Sequence, residues 1–117
     1  MPWRDSLSVP ELRPWLSHLA LIDLETEQRF RVRLSGAGLI RRLGREATGL
    51  SVDELADDIR RQLRAILNTA TKGPAVASSA VPLGRATDWY CDVALPLAAA
   101  TGAVSTILFA SYPQRQT

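Results

Sequence analysis

Residues 29–35 read Arg-Phe-Arg-Val-Arg-Leu-Ser, basic and apolar side chains in strict alternation, and glycines follow at positions 36 and 38. Successive side chains on a strand point to opposite faces, so Phe30, Val32 and Leu34 are expected on one face and Arg29, Arg31 and Arg33 on the other. That pattern is a half-buried strand, and three charges on one face suit a sheet edge. Residues 18–25 form an apolar run with an acidic end, and 25–28 are polar and turn-sized, so 18–35 is predicted to be a hairpin.

The two glycines raise the question of a phosphate-binding loop. A dinucleotide fingerprint needs a third glycine where Arg41 stands, and a preceding strand buried on both faces. Neither condition is met. The glycines instead permit a sharp strand-to-helix bend. Leu39, Ile40 and Leu43 then lie at helical spacing, Gly44 stops that helix in the left-handed conformation, and Thr48-Gly49 is a turn.

Ser51-Val52-Asp53-Glu54 is a capping-box pattern that predicts a long helix over about 53–71. Leu55, Ile59, Leu63, Ile66 and Leu67 make one apolar stripe along it, acids come first and arginines later, and Gly73-Pro74 ends it. The segments 74–83, 88–97 and 103–112 are strand-like. At the other end, Ser8 and Glu11 predict a short helix that closes near Leu16–Ser17, broken early by Pro14. Its Trp3, Leu12, Trp15 and Leu16 offer more apolar surface than a free tail needs. The expected organisation is a helical cap over 1–17, one domain over 18–112 and a tail over 113–117. Hairpin, helices and three-strand meander make an α+β fold, one antiparallel sheet with helices over its apolar face.

A chain of 117 residues with 46% apolar content is one globular domain. No apolar run reaches the roughly 18–20 residues that span a bilayer, and the N-terminus lacks the layout of a signal peptide. Cys91 is the single cysteine, which rules out an internal disulfide and suits the cytoplasm. A net charge of +2, with acids interspersed among the arginines, gives little to attract nucleic acid.

The chemistry-bearing residues are scattered. His18 has no second histidine or nearby cysteine with which to hold a metal, and no nucleophile arrangement with which to catalyse. Asp23, Asp88 and Asp92 stand in or beside predicted strands, with no spacing that brings two together. Trp89 and Tyr90 open a strand, one side chain for each face.

In order along the chain, Trp15 and His18, then Arg33-Leu34-Ser35-Gly36, then Gly44-Arg45-Glu46-Ala47-Thr48-Gly49, then Gly73-Pro74 resemble a bacterial PAS-domain family over roughly residues 9–112. The resemblance implies a five-stranded antiparallel sheet of order 2-1-5-4-3, with helices over one face and 29–35 at an edge. It also implies a sensory role in signal transduction, through a small molecule held between sheet and helices or through dimerisation alone. Gly38 departs from the family pattern. The reactive-cysteine context of a flavin-photoadduct domain is missing, and no histidine stands in the middle helices to ligate haem, so neither cofactor is expected. Phe30, Leu39, Ile59, Trp89 and Leu108 are the expected ligand-binding residues. Trp3, Leu12, Trp15 and Leu16 are the expected dimer interface, packing on the outer sheet face of a second copy. A homodimer that signals through a partner protein, without catalysis, nucleic acid or membrane, is the expected function. The alternative is a small α+β enzyme with Asp92 or Asp23 as base in a conical pocket.

Overall fold

The structure, a computed structural model, describes residues 17–26, 29–83, 86–98, 102 and 104–114. The N-terminal helix expected before Ser17 lies outside the described residues, together with Trp3, Leu12, Trp15 and Leu16.

The alternating segment is the second arm of a hairpin, β1 (Leu19–Thr26) and β2 (Arg29–Ser35). A 3-10 turn (Ala37–Leu39) runs into a four-residue helix α1 (Ile40–Leu43), and a second 3-10 turn (Val52–Glu54) precedes the long helix α2 (Asp57–Ala70). A meander follows, β3 (Ala75–Leu83), β4 (Ala86–Ala98) and β5 (Val104–Pro113). The five strands form one sheet in the order β2-β1-β5-β4-β3, every neighbouring pair antiparallel.

Phe30 and Val32 are buried, as the alternation requires, and Arg29, Arg31 and Arg33 are exposed. Leu34 departs from the expectation and is exposed. The register shifts between Leu21/Ile22, so that Ile22 pairs with Val32 and Leu21 with Leu34. A bulge of this kind breaks the simple two-residue period. β2 stands at the edge, but charge is not all that protects it. The Val32 amide donates to Leu50 O at 2.8 Å, the Gly49 amide donates to Val32 O at 2.7 Å, and Arg31 pairs with Ser51 as an isolated bridge. Residues 49–51 therefore satisfy the outward amide and carbonyl of Val32 in the middle of the edge.

The glycines behave as bend and stop. Gly38 has no room for a side chain, because a Cβ there would sit 2.5 Å from the carbonyl oxygen of Ser17. Its absence of a side chain lets the 3-10 turn press against the chain just before β1. Gly44 caps α1 at φ 83° with its amide on Ile40 O, and Gly49 turns at φ 86°.

The capping box at Ser51 forms as expected, with the Ser51 hydroxyl accepting from Asp53 N and Glu54 accepting from the Ser51 amide. It opens the 3-10 turn, however, and not the long helix. Leu55 breaks out at φ −83°, ψ 164°, which places its side chain in the core at 3% exposure. α2 starts two residues later and buries Leu63, Ile66, Leu67 and Ala70. Each of the larger side chains contributes about 1.5–3 kcal/mol by leaving water. They close on Ala20, Ile22, Phe30, Val32, Ala94, Ile107 and Phe109 of the sheet, so the core lies between the inner sheet face and the helices.

Candidate ligand site and the buried ion pair behind it

Register sorts the five residues expected to line a ligand site. Phe30 (1% exposed) and Leu39 (0%) stand in the core between sheet and helices, and Ile59 of α2 packs against that core. Trp89 and Leu108 do not join them. Their strand neighbours Tyr90 and Phe109 are the inward, buried residues, so Trp89 and Leu108 belong to the opposite, outer face. Leu108 there pairs across strands with Leu21 and Leu95. The five residues therefore do not line one cavity. The physical reason is the phase of β5, where Ile107, Leu108 and Phe109 are all apolar and only alternation decides which two face the helices.

Between the same sheet face and α1 lies a polar centre. Arg42 of α1 and Asp92 of β4 are exposed by 0% and 1% and meet through Nη2 and Oδ2 at 2.9 Å. Asp92 Oδ1 also accepts from Arg42 Nε at 3.5 Å and from the Ser111 hydroxyl at 2.5 Å. Its Oδ2 accepts from the Ser79 hydroxyl at 2.5 Å. The Arg42 guanidinium lies over the Tyr90 ring, 5.7 Å from its centroid. Four elements thus converge: α1, β3 through Ser79, β4, and β5 through Ser111. A buried ion pair survives only when such extra hydrogen bonds meet its remaining lone pairs. Among the described residues, Arg42 Nη1 has no hydrogen-bond partner.

Tyr90 also belongs to a cleft of about 400 Å³ at this end of the sheet, lined by Gly38, Arg41, Thr87, Asp88, Trp89, Pro113 and Gln114 as well. An Arg41–Asp88 ion pair at 3.0 Å lies at this cleft. Nearby, His18 stacks on Tyr112 with ring centroids 4.9 Å apart.

The other candidate groups are engaged or turned away. Asp23 takes Arg33 at 2.7 Å and the Thr106 hydroxyl at 3.0 Å, a network across β2, β1 and β5. Cys91 pairs with Ser78 and Tyr112 between the inward Tyr90 and Asp92, so it belongs to the outer face. Among the described residues no group of three or more His, Cys, Asp or Glu side chains could hold a metal ion. No described helix is long and apolar enough to cross a membrane.

No protein-family model matches the sequence, and no curated protein does. Solved structures do match in fold. The PAS domain of BvgS from Bordetella pertussis superposes with a TM-score of 0.65 at 14% identity, over 92% of this chain and 87% of that one. The light-state LOV domain of the blue-light photoreceptor Aureochrome1 gives 0.63 at 15% identity, over 94% and 91%. A light-oxygen-voltage domain studied with a flavin analogue gives 0.65 at 13% identity, over 92% and 84%. The fold is that of a PAS domain. Within the PAS fold the core residues Phe30, Leu39 and Ile59 stand between sheet and helices, and the Arg42–Asp92 centre stands at one end of the same layer.

Sequence reasoning missed that centre. Its partners are 50 residues apart, and Arg41-Arg42 reads as a solvated pair of charges on a short helix. A weak signal was present: Arg42 precedes Leu43 and follows Leu39 by three residues, which puts it beside the apolar stripe of α1.

Proposed function

We propose that this chain is a sensory and protein-interaction domain of signal transduction that performs no catalysis of its own. The observation that carries this reading is the antiparallel sheet of order β2-β1-β5-β4-β3, closed on one face by helices, in the arrangement of the BvgS and Aureochrome1 domains. Such a layer can admit a small molecule between sheet and helices, against Phe30, Leu39 and Ile59, and pass a shift of the helices to a partner. Thermal-shift and native mass-spectrometric screening of a small-molecule library tests the sensor. A ligand that raises the melting temperature supports it, and a chain that binds nothing remains an interaction module.

A flavin that reacts with a cysteine thiol does not fit these residues. A thiol that forms an adduct must face the ligand, whereas Cys91 stands on the opposite side of the sheet from the core. The enzyme alternative is disfavoured by the same geometry. Asp92 and Asp23, the two candidate bases, already accept hydrogen bonds from arginine and hydroxyl donors, which leaves neither poised to take a proton from a substrate.

Dimerisation is the second part of the proposal. The outer sheet face carries Leu21, Leu95 and Leu108 in one cross-strand row, with Trp89 farther along β4. The apolar Trp3, Leu12, Trp15 and Leu16 of a second copy are its proposed cover, in a cytoplasmic homodimer. Light scattering on the intact chain and on a chain lacking residues 1–16 tests this: the deletion halves the mass if the segment holds the dimer, and an unchanged mass removes the idea.

A further inference from the structure

The Arg42–Asp92 pair is chemically complete on one side and incomplete on the other. Asp92 accepts from Arg42 Nε, Arg42 Nη2, Ser79 and Ser111, which fills the roughly four lone-pair positions of a carboxylate. Arg42 directs Nε and Nη2 at Asp92, and the N–H groups of Nη1 have no acceptor among the described residues. The side chain is fully buried, so bulk solvent does not supply one, and an unmet buried donor is costly.

Tyr90 separates this donor from a surface cleft. Its ring lies against the guanidinium, and the same residue walls the cleft that Gly38, Arg41, Asp88 and Pro113 line. Charge then narrows what the centre can accept. Arg42 is already compensated by Asp92, and Arg41 at the cleft by Asp88. A buried carboxylate or phosphate would add a charge with no counterpart. An ammonium would find Asp92 already saturated. A neutral acceptor, such as a carbonyl oxygen, fits both constraints, and an apolar or aromatic body suits the core residues Leu39 and Leu43 on either side of Arg42 in the chain.

We infer that Arg42 Nη1 anchors the carbonyl oxygen of a small, neutral, aromatic or apolar ligand, with Tyr90 as the wall between cleft and anchor. This rests on the ligand-sensing reading above and names the ligand class for it.

The test compares acetophenone, ethylbenzene and benzoate, titrated into the full chain and followed by protein NMR, including the Arg42 side-chain Nε–H signal. Acetophenone binds roughly ten-fold tighter than ethylbenzene, the difference made by one hydrogen bond to a charged buried donor, and shifts the Arg42 signal. Benzoate binds more weakly than acetophenone. In the double variant Arg42→Met/Asp92→Leu, which removes both charges together, the preference for the ketone disappears. Equal binding of ketone and hydrocarbon to the unmodified chain, or a preference that survives the double variant, overturns the anchor and leaves ligand sensing standing. Tighter binding of benzoate overturns the neutral-ligand assignment. No binding of any probe at millimolar concentration overturns the anchor, and the library screen decides the ligand-sensing reading separately. The comparison on the unmodified chain decides the matter even where the double variant fails to fold.

Discussion

Arg42 and Asp92, 2.9 Å apart and almost wholly removed from solvent, tie the short helix after the first hairpin to the middle of the C-terminal meander. No other ion pair among the described residues is buried on both sides, and the remaining pairs lie at or near the surface. Surface pairs of that kind contribute about 0–1 kcal/mol each. The buried pair obeys a different rule, since removing one partner strands the other charge.

Arg42→Met alone is therefore expected to destabilise the fold by about 3–5 kcal/mol. Arg42→Met combined with Asp92→Leu recovers most of that loss, because no unpaired charge is left behind. Chemical denaturation of both variants checks this, and a double variant no more stable than the single one contradicts it.

Gly38→Ala is expected to cost about 1–3 kcal/mol, since the new methyl group would meet the Ser17 carbonyl at 2.5 Å and the backbone must move apart. Gly73→Ala is the control. A Cβ there meets nothing within 4 Å, and its stability change stays within about 0.5 kcal/mol. Equal losses at the two positions would show that Gly38 is not a packing contact.

Phe109 and Leu108 separate the two faces of β5. Phe109 is 0% exposed in the core, and Phe109→Ala is expected to cost about 3–5 kcal/mol. Leu108→Ala costs clearly less in the monomer, because Leu108 is only partly buried on the outer face. Thermal melts of the two variants give the order, and a reversed order would mean that the strand phase is the other way round.

Glu46 gives the pH-dependent prediction. Its carboxylate is held below its ordinary pKa, first by the Thr48 hydroxyl and then by the Thr48 amide, the latter donating to Oε1 at 3.0 Å. A depressed carboxylate contributes stability above its unfolded-state pKa and loses it as pH falls through the folded-state value. The turn at 46–49 is thus expected to loosen under acid, below the ordinary carboxylate range, and not between pH 6 and 8. Amide exchange at Thr48, compared between the native chain and Glu46→Gln, measures it. A profile that is flat in acid, or identical in the variant, removes the role of Glu46.

Sequence patterns carried the elements whose signals are local. The alternation over 29–33, the left-handed stop at Gly44, the turn at Thr48-Gly49 and the stripe Leu63, Ile66, Leu67 all act within a few residues, and each appears where its spacing put it. What the patterns could not carry depends on contacts between distant segments. The start of α2 moved because Leu55 gains more by entering the core than by continuing a helix. Trp89 and Leu108 fell on the outer face because a fully apolar strand has no phase of its own. The Ser17 carbonyl that makes Gly38 necessary is 21 positions away, and Asp92 is 50 positions from Arg42. In both cases the partner becomes visible only once the sheet has closed.

The stretch 49–51, laid along β2, has a counterpart at the far side of the sheet, where the Gln62 side-chain amide donates to Ala80 O of β3 at 2.8 Å. Both rims are thus partly occupied by the chain's own groups. Strand addition by another molecule, the usual route to fibrillar stacking, would have to displace these contacts. The proposed association across the broad side of the sheet would give a closed pair and not an open-ended filament.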